Sequence, residues 1–463
     1  TPLTGRGHFS PAECRPGVYR VAMKIWSIAC DMAAKTPVER NRYVDFLRSV
    51  SIMVVIIGHW LIATAWYVDG DLQTGHLLRT EPQMQWLTWL FQVMPIFFIV
   101  GGYSNAVSLE SAKRKGTGYA GWLVTRLNRL VAPLLVLMVA WASISLIMRA
   151  MGVSQGVIQY MSQAALIPTW FLAIYIMVVI LAPVAYRFWR RAGFLSFWLF
   201  VAAAALVDVA FFVMDQRWLG WTNYFWVWLA VHQLGFAWRE GRMGSPGVLL
   251  LYSALAFTAL YLLISKGPYP VAMVGSPDEG LSNSLPPKIT LIALGVLQFG
   301  VLLSLETPMR RALANLKLWA LTVLINSMIM TVYLWHITVM VVFGAVLYLS
   351  GGFGLGMEPG SADWWQTRPV WICVLLMLLL PVALLLSPLE RRGRHPEAAI
   401  PSPLRQIAGA IMVCLGIALL ALFGFGGGPF DELDVIAFVL FIVGAGISGL
   451  LPQFGSRSAA AGG

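Results

Sequence analysis

The sequence predicts an all-α fold, a polytopic membrane helix bundle with about twelve transmembrane helices. Hydrophobic residues make up 59% of the chain and charged residues 11%, whereas a soluble domain carries about 25% charged residues. The mean hydropathy is +0.74. Apolar runs of the roughly 17–25 residues that cross a bilayer recur along the chain. These observations exclude a soluble globular protein and indicate that any chemistry takes place within the membrane bundle.

The apolar runs divide the chain into three predicted parts. Residues 1–44 form a tail in which a short apolar stretch, 18–35, is interrupted by charged residues, a pattern typical of an interfacial helix. Residues 45–390 hold ten predicted spans, and residues 391–463 hold two additional spans and a tail. The twelve predicted spans are about 46–67, 86–109, 128–149, 166–186, 194–214, 218–237, 247–265, 288–305, 318–348, 369–388, 405–424 and 433–451.

The loops between the predicted spans alternate in charge. Because basic loops stay in the cytoplasm, this alternation predicts a multi-pass protein of the inner or plasma membrane with both termini in the cytoplasm. The basic loop residues are Lys113, Arg114, Lys115, Arg187, Arg190, Arg191, Arg239, Arg242, Arg310, Arg311, Lys317, Arg391, Arg392 and Arg394. The acidic residues of the intervening loops are Asp69, Asp71, Glu81, Asp278, Glu279, Glu358, Asp363, Asp431 and Glu432.

The charge balance and the cysteines bear on two other kinds of site. The formal net charge is +11 at pH 7, and cytoplasmic loops explain this excess without a nucleic-acid partner. The four cysteines, Cys14, Cys30, Cys373 and Cys414, lie far apart and lack the spacing of metal ligands. The sequence therefore predicts neither nucleic-acid binding nor a metal site.

Two ionisable residues share one face of the first predicted span. Arg48 and His59 are eleven residues apart, so their directions differ by roughly 20° and their positions by about 16 Å along the helix. An ionisable side chain inside a membrane is costly unless it faces a cavity or a partner. The pair therefore marks a candidate functional stripe. The alternative for Arg48 is an i,i+3 ion pair with Asp45 at the membrane surface.

A second pair of arginines opens the third predicted span. Arg126 and Arg129 lie one turn apart at the same predicted depth as Arg48. One interpretation is anchoring by the positive-inside rule. If the first and third spans are neighbours, three guanidinium groups converge with Asp45 as the nearby carboxylate, which is unfavourable unless an anion joins them. Because guanidinium groups suit phosphate oxygens, this interpretation predicts a phosphorylated ligand from the cytoplasm.

Further polar residues lie deeper in the predicted bundle. His59, Asp208 and His336 all lie beyond the membrane midplane when counted from the cytoplasmic ends of their spans. Each is either a hydrogen-bonded packing residue or a functional group. Gly101-Gly-Tyr-Ser-Asn105 in the second span predicts either close helix packing or room for a thin ligand arm. Trp170 lies at the outer surface, where aromatic anchors are also expected.

The order and depth of these motifs resemble the acyltransferase-3 family of integral membrane acyltransferases. The main motifs are an Arg-x10-His with an aspartate three residues before it and an Arg-x-x-Arg at the start of the third span. They correspond to Asp45, Arg48 and His59, and to Arg126 and Arg129. Weaker matches are Pro95-Ile-Phe-Phe98 before a glycine pair, Trp170-Phe-Leu172 and Tyr333-Leu-Trp-His336. The resemblance covers about residues 45–390.

Two features depart from the family pattern. The glycine pair is followed by Tyr103-Ser-Asn, where many members carry a Ser-Gly-Phe type of sequence. Two further spans follow the tenth, in 405–451. The first departure concerns the acceptor pocket, and the second is expected to serve packing or oligomerisation.

The resemblance implies acyl transfer from a cytoplasmic acyl-coenzyme A, commonly acetyl-coenzyme A, to a hydroxyl group at the outer face of the lipid bilayer. The implied acceptor is a glycolipid or polysaccharide of the cell envelope. The residues expected to bind the donor are Arg48, Arg126, Arg129, Ser104 and Asn105. The expected catalytic group is His59, as general base or transient acyl carrier, with Asp45 and Arg48. The residues with an expected acceptor-binding or orienting role are Asp208, Trp170, Tyr333 and His336.

Two other classes fit the predicted topology. Twelve spans with both termini inside are common among secondary transporters, although no clear repeat relates the two halves of this chain. A non-catalytic lipid-export or scaffold subunit would explain the extra helices and the 20 tryptophans. A transporter would not need arginines aligned below a histidine, so the enzyme is the favoured interpretation.

Overall fold

The computed structural model describes residues 18–37, 39–68, 71–275, 280–390, 399–426 and 433–451. Within these ranges the chain is overwhelmingly α-helical, and the predicted polytopic helix bundle is confirmed. The orientation of the termini stays a prediction. Some residues named from the sequence lie outside the described ranges: Cys14, Asp69, Asp278, Glu279, Arg391, Arg392, Arg394, Asp431 and Glu432.

In the first half of the chain, the described residues form nine α-helices and a hairpin. They are α1 (Val18–Ala34), α2 (Arg42–Ile62), β1 (Ala63–Val68), β2 (Asp71–His76), α3 (Leu77–Thr80), α4 (Thr88–Phe91), α5 (Met94–Arg114), α6 (Tyr119–Ala150), α7 (Gln155–Leu166), α8 (Thr169–Ala192) and α9 (Phe194–Phe212). Short 3₁₀ helices occupy Pro82–Leu87 and Arg217–Thr222.

The described part of the second half contains nine further α-helices. They are α10 (Asn223–Arg239), α11 (Pro246–Lys266), α12 (Ile289–Ser304), α13 (Glu306–Ala312), α14 (Leu316–Ser327), α15 (Ile329–Leu349), α16 (Ala362–Glu390), α17 (Pro403–Phe423) and α18 (Leu433–Ile447). The cavities described below lie among α2, α5, α6, α8 and α15.

Nine of the described helices are long and apolar enough to cross a membrane. A tenth span arises if α12 and α13, which meet at a bend of 52°, are counted together. The two other predicted spans correspond to α10, with 17 residues, and α18, with 15 residues. Both are at or below the roughly 17 residues that cross a bilayer. The chain is a multi-pass membrane protein.

A two-stranded hairpin interrupts the helical pattern. The prediction of a first span that continues to residue 67 is wrong at its end, because α2 stops at Ile62 and Ala63–Val68 pairs antiparallel with Asp71–His76. The first strand is rich in β-branched and aromatic residues, which favour strands. In the sequence the strands are separated by Asp69-Gly70, a common two-residue hairpin connection.

The predicted single span over 318–348 is also wrong in detail, because two helices occupy it. α14 ends one residue before Met328 and α15 begins one residue after it, and the backbone of Met328 is not helical. Close to this break, the side-chain amide of Asn326 donates to the carbonyl of Asp45 at 2.9 Å and to the hydroxyl of Ser49. These bonds hold the end of α14 against α2.

Two glycines let α5 and α10 approach each other closely. A Cβ atom at Gly102 would lie 2.2 Å from the carbonyl oxygen of His232, and one at Gly235 would lie 2.0 Å from a carbonyl oxygen of α5. Of the two glycines Gly101 and Gly102, it is therefore Gly102 that permits the close helix packing expected from the sequence. Gly101 instead faces the ring of Tyr175, which would lie 2.8 Å from a Cβ atom at this position, and lines a cavity.

The helix α1 lies on the surface of the bundle and packs against α14. Ala29 and Ala33 are buried, whereas Met23 and Trp26 are exposed. An apolar face is therefore left without a protein partner in the described part of the chain. This arrangement agrees with an interfacial helix, and its place at the membrane surface stays a prediction.

The last two helices pair tightly and pack on the rest of the bundle. A Cβ atom at Gly409 of α17 would lie 2.4 Å from the carbonyl oxygen of Gly444 in α18. α17 also packs against α6, α7 and α8. The thiol of Cys414 lies 3.4 Å from the carbonyl oxygen of Ala173 in α8. The C-terminal pair is thus joined to the helices that carry the site.

Candidate active site

Two cavities follow each other along α2. The first, here called the arginine cavity, has a volume of about 220 Å³ and is lined by Arg48, Arg126 and Arg129. The second, here called the histidine cavity, has a volume of about 320 Å³ and is lined by His59. Arg48 and His59, at the two ends of the predicted stripe on the first span, therefore line two different cavities that are adjacent to each other.

The helix α5 brings the arginines of α2 and α6 together. Arg48 Nη2 donates to the hydroxyl of Ser104 at 2.9 Å, and Arg126 Nη2 donates to the carbonyl oxygen of the same residue at 2.8 Å. Arg126 also donates to the hydroxyl of Ser108, one turn further along α5. The three guanidinium groups thus gather around the second predicted span, with Arg129 on the same cavity wall.

The charges of the arginine cavity are only partly compensated. Asp45 is buried and accepts from Arg40 at 2.5 Å and from Arg48 at 3.3 Å, so the predicted i,i+3 pair is present. Asp45 itself lines neither cavity. Within the described ranges, Arg126 and Arg129 form no ion pair. A small cavity with uncompensated guanidinium groups favours an anion.

The second predicted span adds a neutral polar group to this cavity. Asn105 Nδ2 lies 3.1 Å from His232 Nε2, and because an amide nitrogen only donates, this histidine nitrogen accepts. Asn105 Oδ1 is buried and has no hydrogen-bond partner among the described residues. Since buried acceptors are normally satisfied, this oxygen is free for an N–H group of a ligand.

His59 is hydrogen-bonded to His336, and a backbone carbonyl group determines which ring nitrogens of this histidine pair carry protons. His336 Nδ1 lies 2.5 Å from the carbonyl oxygen of Tyr333 and must donate, because a carbonyl only accepts. In neutral His336 the Nε2 atom then accepts, so His59 Nδ1, at 2.8 Å, donates to it. His59 Nε2 is left with its lone pair, the form that a general base or a nucleophile requires.

The position of His336 is held by its neighbours. The indole N–H of Trp60 donates to the carbonyl oxygen of His336 at 3.0 Å. Tyr333, one turn earlier, donates its hydroxyl to the carbonyl oxygen of Pro168 at 2.7 Å. Trp335 donates to the buried carboxylate of Glu390 at 3.1 Å. The orientation of the histidine pair therefore depends on α2, α8, α15 and α16 together.

Three aromatic residues line both cavities and separate them. They are Phe97 on α5, Phe171 on α8 and Tyr333 on α15, here called the aromatic partition. The ring centroids of Phe97 and Phe171 are 5.6 Å apart, and those of Phe171 and Tyr333 are 5.9 Å apart. The arginines lie on one side of this partition and His59 on the other.

The remaining predicted site residues fall in different places. Trp170 and Tyr333 line the histidine cavity, and His336 contacts His59 as described. Asp208 lines neither cavity. Its carboxylate accepts from Asn223 at 2.9 Å, from the hydroxyl of Tyr269 at 3.1 Å and from the backbone N–H of Ile289 at 2.9 Å. These bonds hold α9, α10 and α12 together.

A buried cation lies beside this carboxylate. Lys288 Nζ donates to the carbonyl oxygen of Pro286 at 3.1 Å and lies 3.8 Å from the ring centroid of Phe211. Burial lowers the pKa of Lys288 to about 8, and the nearby Asp208 opposes this shift. The cluster closes the long connection before α12, and it offers a structural reason for a costly aspartate in a membrane helix.

Sequence reasoning did not select several residues of the site. Phe97 and Phe171 occur inside two of the weaker family motifs, but only their placement on two helices reveals a shared wall. Ser108 lies four residues after Ser104, so the helical period could have indicated it. Gly58, beside His59 in the sequence, lines the histidine cavity without any signal of its own.

The helix bundle, the arginine cavity and the histidine pair together fit a multi-pass membrane acyltransferase. The family described as an acyltransferase domain, of the acyltransferase-3 type, matches residues 41–387. The chain belongs to the acyltransferase-3 family and is a membrane acyltransferase, which confirms the resemblance. The transporter alternative is not favoured. Comparisons with curated proteins and with solved structures give no match. Among the described residues, no group of three or more His, Cys, Asp and Glu side chains could hold a metal.

Proposed function

We propose that this protein is an O-acyltransferase that moves an acyl group, most simply acetyl, from cytoplasmic acyl-coenzyme A to a hydroxyl of a cell-envelope glycolipid or carbohydrate at the outer face of an inner or plasma membrane. The observation that carries the proposal is the adjacency of two unlike cavities. One is lined by Arg48, Arg126 and Arg129 and the other by His59, and the aromatic partition is common to both.

The arginine cavity suits part of coenzyme A. Its volume of about 220 Å³ is below the roughly 300–1,000 Å³ of pockets that enclose drug-sized ligands. It would therefore hold the phosphates and the narrow pantetheine arm rather than the whole nucleotide. The guanidinium groups would bind the phosphate oxygens, and Asn105 Oδ1, buried without a partner among the described residues, would accept from an amide N–H of the arm.

The thioester would meet the histidine pair beyond the aromatic partition. In direct transfer, His59 Nε2 takes the proton of the acceptor hydroxyl while the hydroxyl oxygen bonds to the thioester carbonyl carbon. The carbon–sulfur bond then breaks, and the departing thiolate takes the proton from His59. The products are the acyl ester and free coenzyme A, and His336 stabilises the transient imidazolium through its accepting Nε2.

A covalent route uses the same atoms in another order. His59 Nε2 attacks the thioester carbon, and the carbon–sulfur bond breaks to release the thiolate. The acceptor hydroxyl oxygen then attacks the acyl-imidazolium while its proton passes to the thiolate, and the carbon–nitrogen bond breaks, which regenerates neutral His59 and gives the ester and free coenzyme A. Exchange of labelled coenzyme A into unlabelled acetyl-coenzyme A in the absence of acceptor would support this route. Strict dependence of coenzyme A release on the acceptor would support direct transfer.

The proposed function is tested by incubating membranes that contain the protein with acetyl-coenzyme A labelled in the acetyl group and a panel of envelope extracts. We expect a labelled, base-labile ester that forms without any ion gradient and is absent from membranes lacking the protein. No label in any extract, together with no binding of coenzyme A to the purified protein, would contradict the proposal.

Replacing His336 tests the histidine pair. We expect His336→Ala to lower kcat about 2- to 12-fold, because one orienting hydrogen bond contributes about 0.5–1.5 kcal/mol and 1.36 kcal/mol is tenfold in rate. The KM for acetyl-coenzyme A should stay unchanged. His336→Gln should recover part of the lost kcat, because its side-chain oxygen can accept from His59 Nδ1.

The measurement is steady-state kinetics of purified variants with intact thermal stability. Equal kcat values for His336→Ala and the native protein would show that the pairing does not orient His59. If His336→Gln were as slow as His336→Ala, His336 would contribute more than a hydrogen-bond acceptor for His59 Nδ1.

A further inference from the structure

We propose that the histidine cavity binds the hydrocarbon body of an amphiphilic acceptor, which reaches His59 sideways from the lipid bilayer. The acceptor would then be a membrane-resident alcohol, such as a lipid-linked sugar, rather than a free carbohydrate in the aqueous phase. This inference rests on the proposed function, because it narrows the class of molecule that receives the acyl group at His59.

The lining of the histidine cavity is predominantly apolar. Its volume of about 320 Å³ lies in the range of pockets that enclose small ligands. Many of the apolar side chains that surround it come from α2 and from the segment before α5, and they include Val54, Ile57, Leu61, Leu78, Leu87 and Phe91. Such a wall favours aliphatic groups, since each buried CH₂ gains about 0.8 kcal/mol.

Three polar side chains of this cavity, those of Thr88, Gln92 and Tyr333, are already used within the protein. Thr88 donates to a backbone carbonyl at 2.6 Å and accepts from the N–H of Met273 at 2.8 Å. Gln92 donates to the carbonyl oxygen of Met273 at 3.0 Å, and the hydroxyl of Tyr333 donates to Pro168. A sugar with many hydroxyl groups would find few partners here, and unpaired buried hydroxyls are costly.

One wall of the histidine cavity is also an exposed apolar edge. Leu87 and Phe91 line the cavity and are 49% and 48% exposed. Trp86 and Leu90, beside them, are 49% and 68% exposed. The edge belongs to a stretch, Pro82–Arg114, that is apolar enough to span a membrane. Contiguous exposed apolar side chains on such a stretch face lipid, so the cavity is accessible to a molecule already in the bilayer.

The position of the edge assigns the hydrocarbon to the acceptor rather than to the donor. The donor arm would come from the arginine cavity, on the other side of Phe97, Phe171 and Tyr333. The exposed edge lies on the His59 side of this partition. An alkyl chain that comes from the bilayer therefore approaches His59 from the side opposite to the thioester, as transfer between two substrates requires.

Gly58 provides a way to fill the cavity without disturbing the fold. It lines the histidine cavity next to His59, and a Cβ atom at this position would meet no heavy atom within 4 Å. Gly58→Leu would occupy space that the proposed acceptor chain needs. Gly344 on α15 is the matched control, because its Cβ position is equally open and it lines neither cavity.

The test compares decyl β-glucoside, below its micelle concentration, with methyl β-glucoside as acceptors for the purified protein in lipid nanodiscs. We expect kcat/KM for the decyl compound to be at least tenfold higher. Gly58→Leu should lower that value at least tenfold and leave the affinity for acetyl-coenzyme A unchanged, while Gly344→Leu should behave as the native protein. Saturable binding of labelled decyl glucoside, measured without donor, should show the same pattern.

The binding measurement separates failure of this inference from failure of the proposed function. Saturable decyl glucoside binding that Gly58→Leu abolishes would uphold the apolar site even if no ester forms. Equal kcat/KM for the two glucosides, or decyl binding unaffected by Gly58→Leu, would overturn the inference. A Gly58→Leu effect confined to hexanoyl-coenzyme A as donor would assign the cavity to the acyl chain and overturn it as well.

Discussion

Replacing His59 with alanine is expected to lower the rate of acyl transfer by about 10³-fold, within the range that general acid–base groups contribute. His336 donates to the carbonyl oxygen of Tyr333 and accepts from His59 Nδ1, so the lone pair on His59 Nε2 is left free. The affinity for acetyl-coenzyme A should remain close to the native value, because the arginine cavity lies on the other side of the aromatic partition. Single-turnover transfer and equilibrium binding of coenzyme A measure the two effects separately.

Two further variants make the His59 result specific. His59→Gln keeps a polar side chain of similar length but no basic nitrogen, and it should be as inactive as His59→Ala. Val50→Ala, at an exposed position of the same helix, should keep native activity. Retention of more than about a tenth of the native rate in His59→Ala would remove this residue from the chemical step.

Removing Arg126 is expected to weaken coenzyme A binding by about 10- to 100-fold. A hydrogen bond to a charged group contributes about 1.5–3 kcal/mol, and each 1.4 kcal/mol is a factor of ten in Kd. Among the described residues Arg126 has no acidic partner, so its charge is available to a phosphate. The measurement is the Kd of coenzyme A for purified Arg126→Ala at two salt concentrations, with a smaller salt dependence expected than for the native protein.

The structural role of Arg126 requires its own control. Ser108→Ala removes a hydrogen bond of Arg126 but keeps the charge, so it should bind coenzyme A almost normally. Arg191→Ala removes an exposed arginine that lines neither cavity and should have no effect. Native affinity in Arg126→Ala, or an equal loss in Arg191→Ala, would count against phosphate binding in the arginine cavity.

The helical periodicity predicts most of what a single helix determines. Eleven residues between Arg48 and His59 suffice to place both on one stripe, and the structure gives each of them a cavity. The spacing of Arg126 and Arg129 likewise puts both on one face. The functions of these residues remain a proposal, because the spacing predicts which way their side chains point on a helix but does not identify the ligand that they bind.

Relations between distant segments could not be read from the sequence. The bond from His59 to His336 joins residues that are 277 positions apart, and an apolar helix gives no sign of which neighbour its histidine meets. The aromatic partition requires α5, α8 and α15 to converge. Asp208 is another case, because its cost in a membrane helix left a packing role and a functional role equally open, and the structure shows its carboxylate bound to Asn223, Tyr269 and the start of α12.

Two boundaries of the predicted spans were wrong for different reasons. The first span was predicted to be too long because apolar β-branched and aromatic residues read alike in a helix and in a strand, and β1 begins at Ala63. The break at Met328 was not predicted because no proline or glycine marks it in the sequence. Near this break, Asn326 at the end of α14 is bonded to α2, a long-range contact that the sequence does not reveal.

The contact between Cys414 and Ala173 has a consequence for the boundaries of the protein. The family match ends at residue 387, yet α17 packs on the helix that carries Trp170, Phe171 and Tyr175. The helix α8 contributes to the walls of both cavities. A fragment limited to the matched residues 41–387 would therefore lack α17, which packs against this helix. In this protein α17 and α18 lie beyond the family match, yet they pack together, and α17 packs against three helices within the match, α6, α7 and α8.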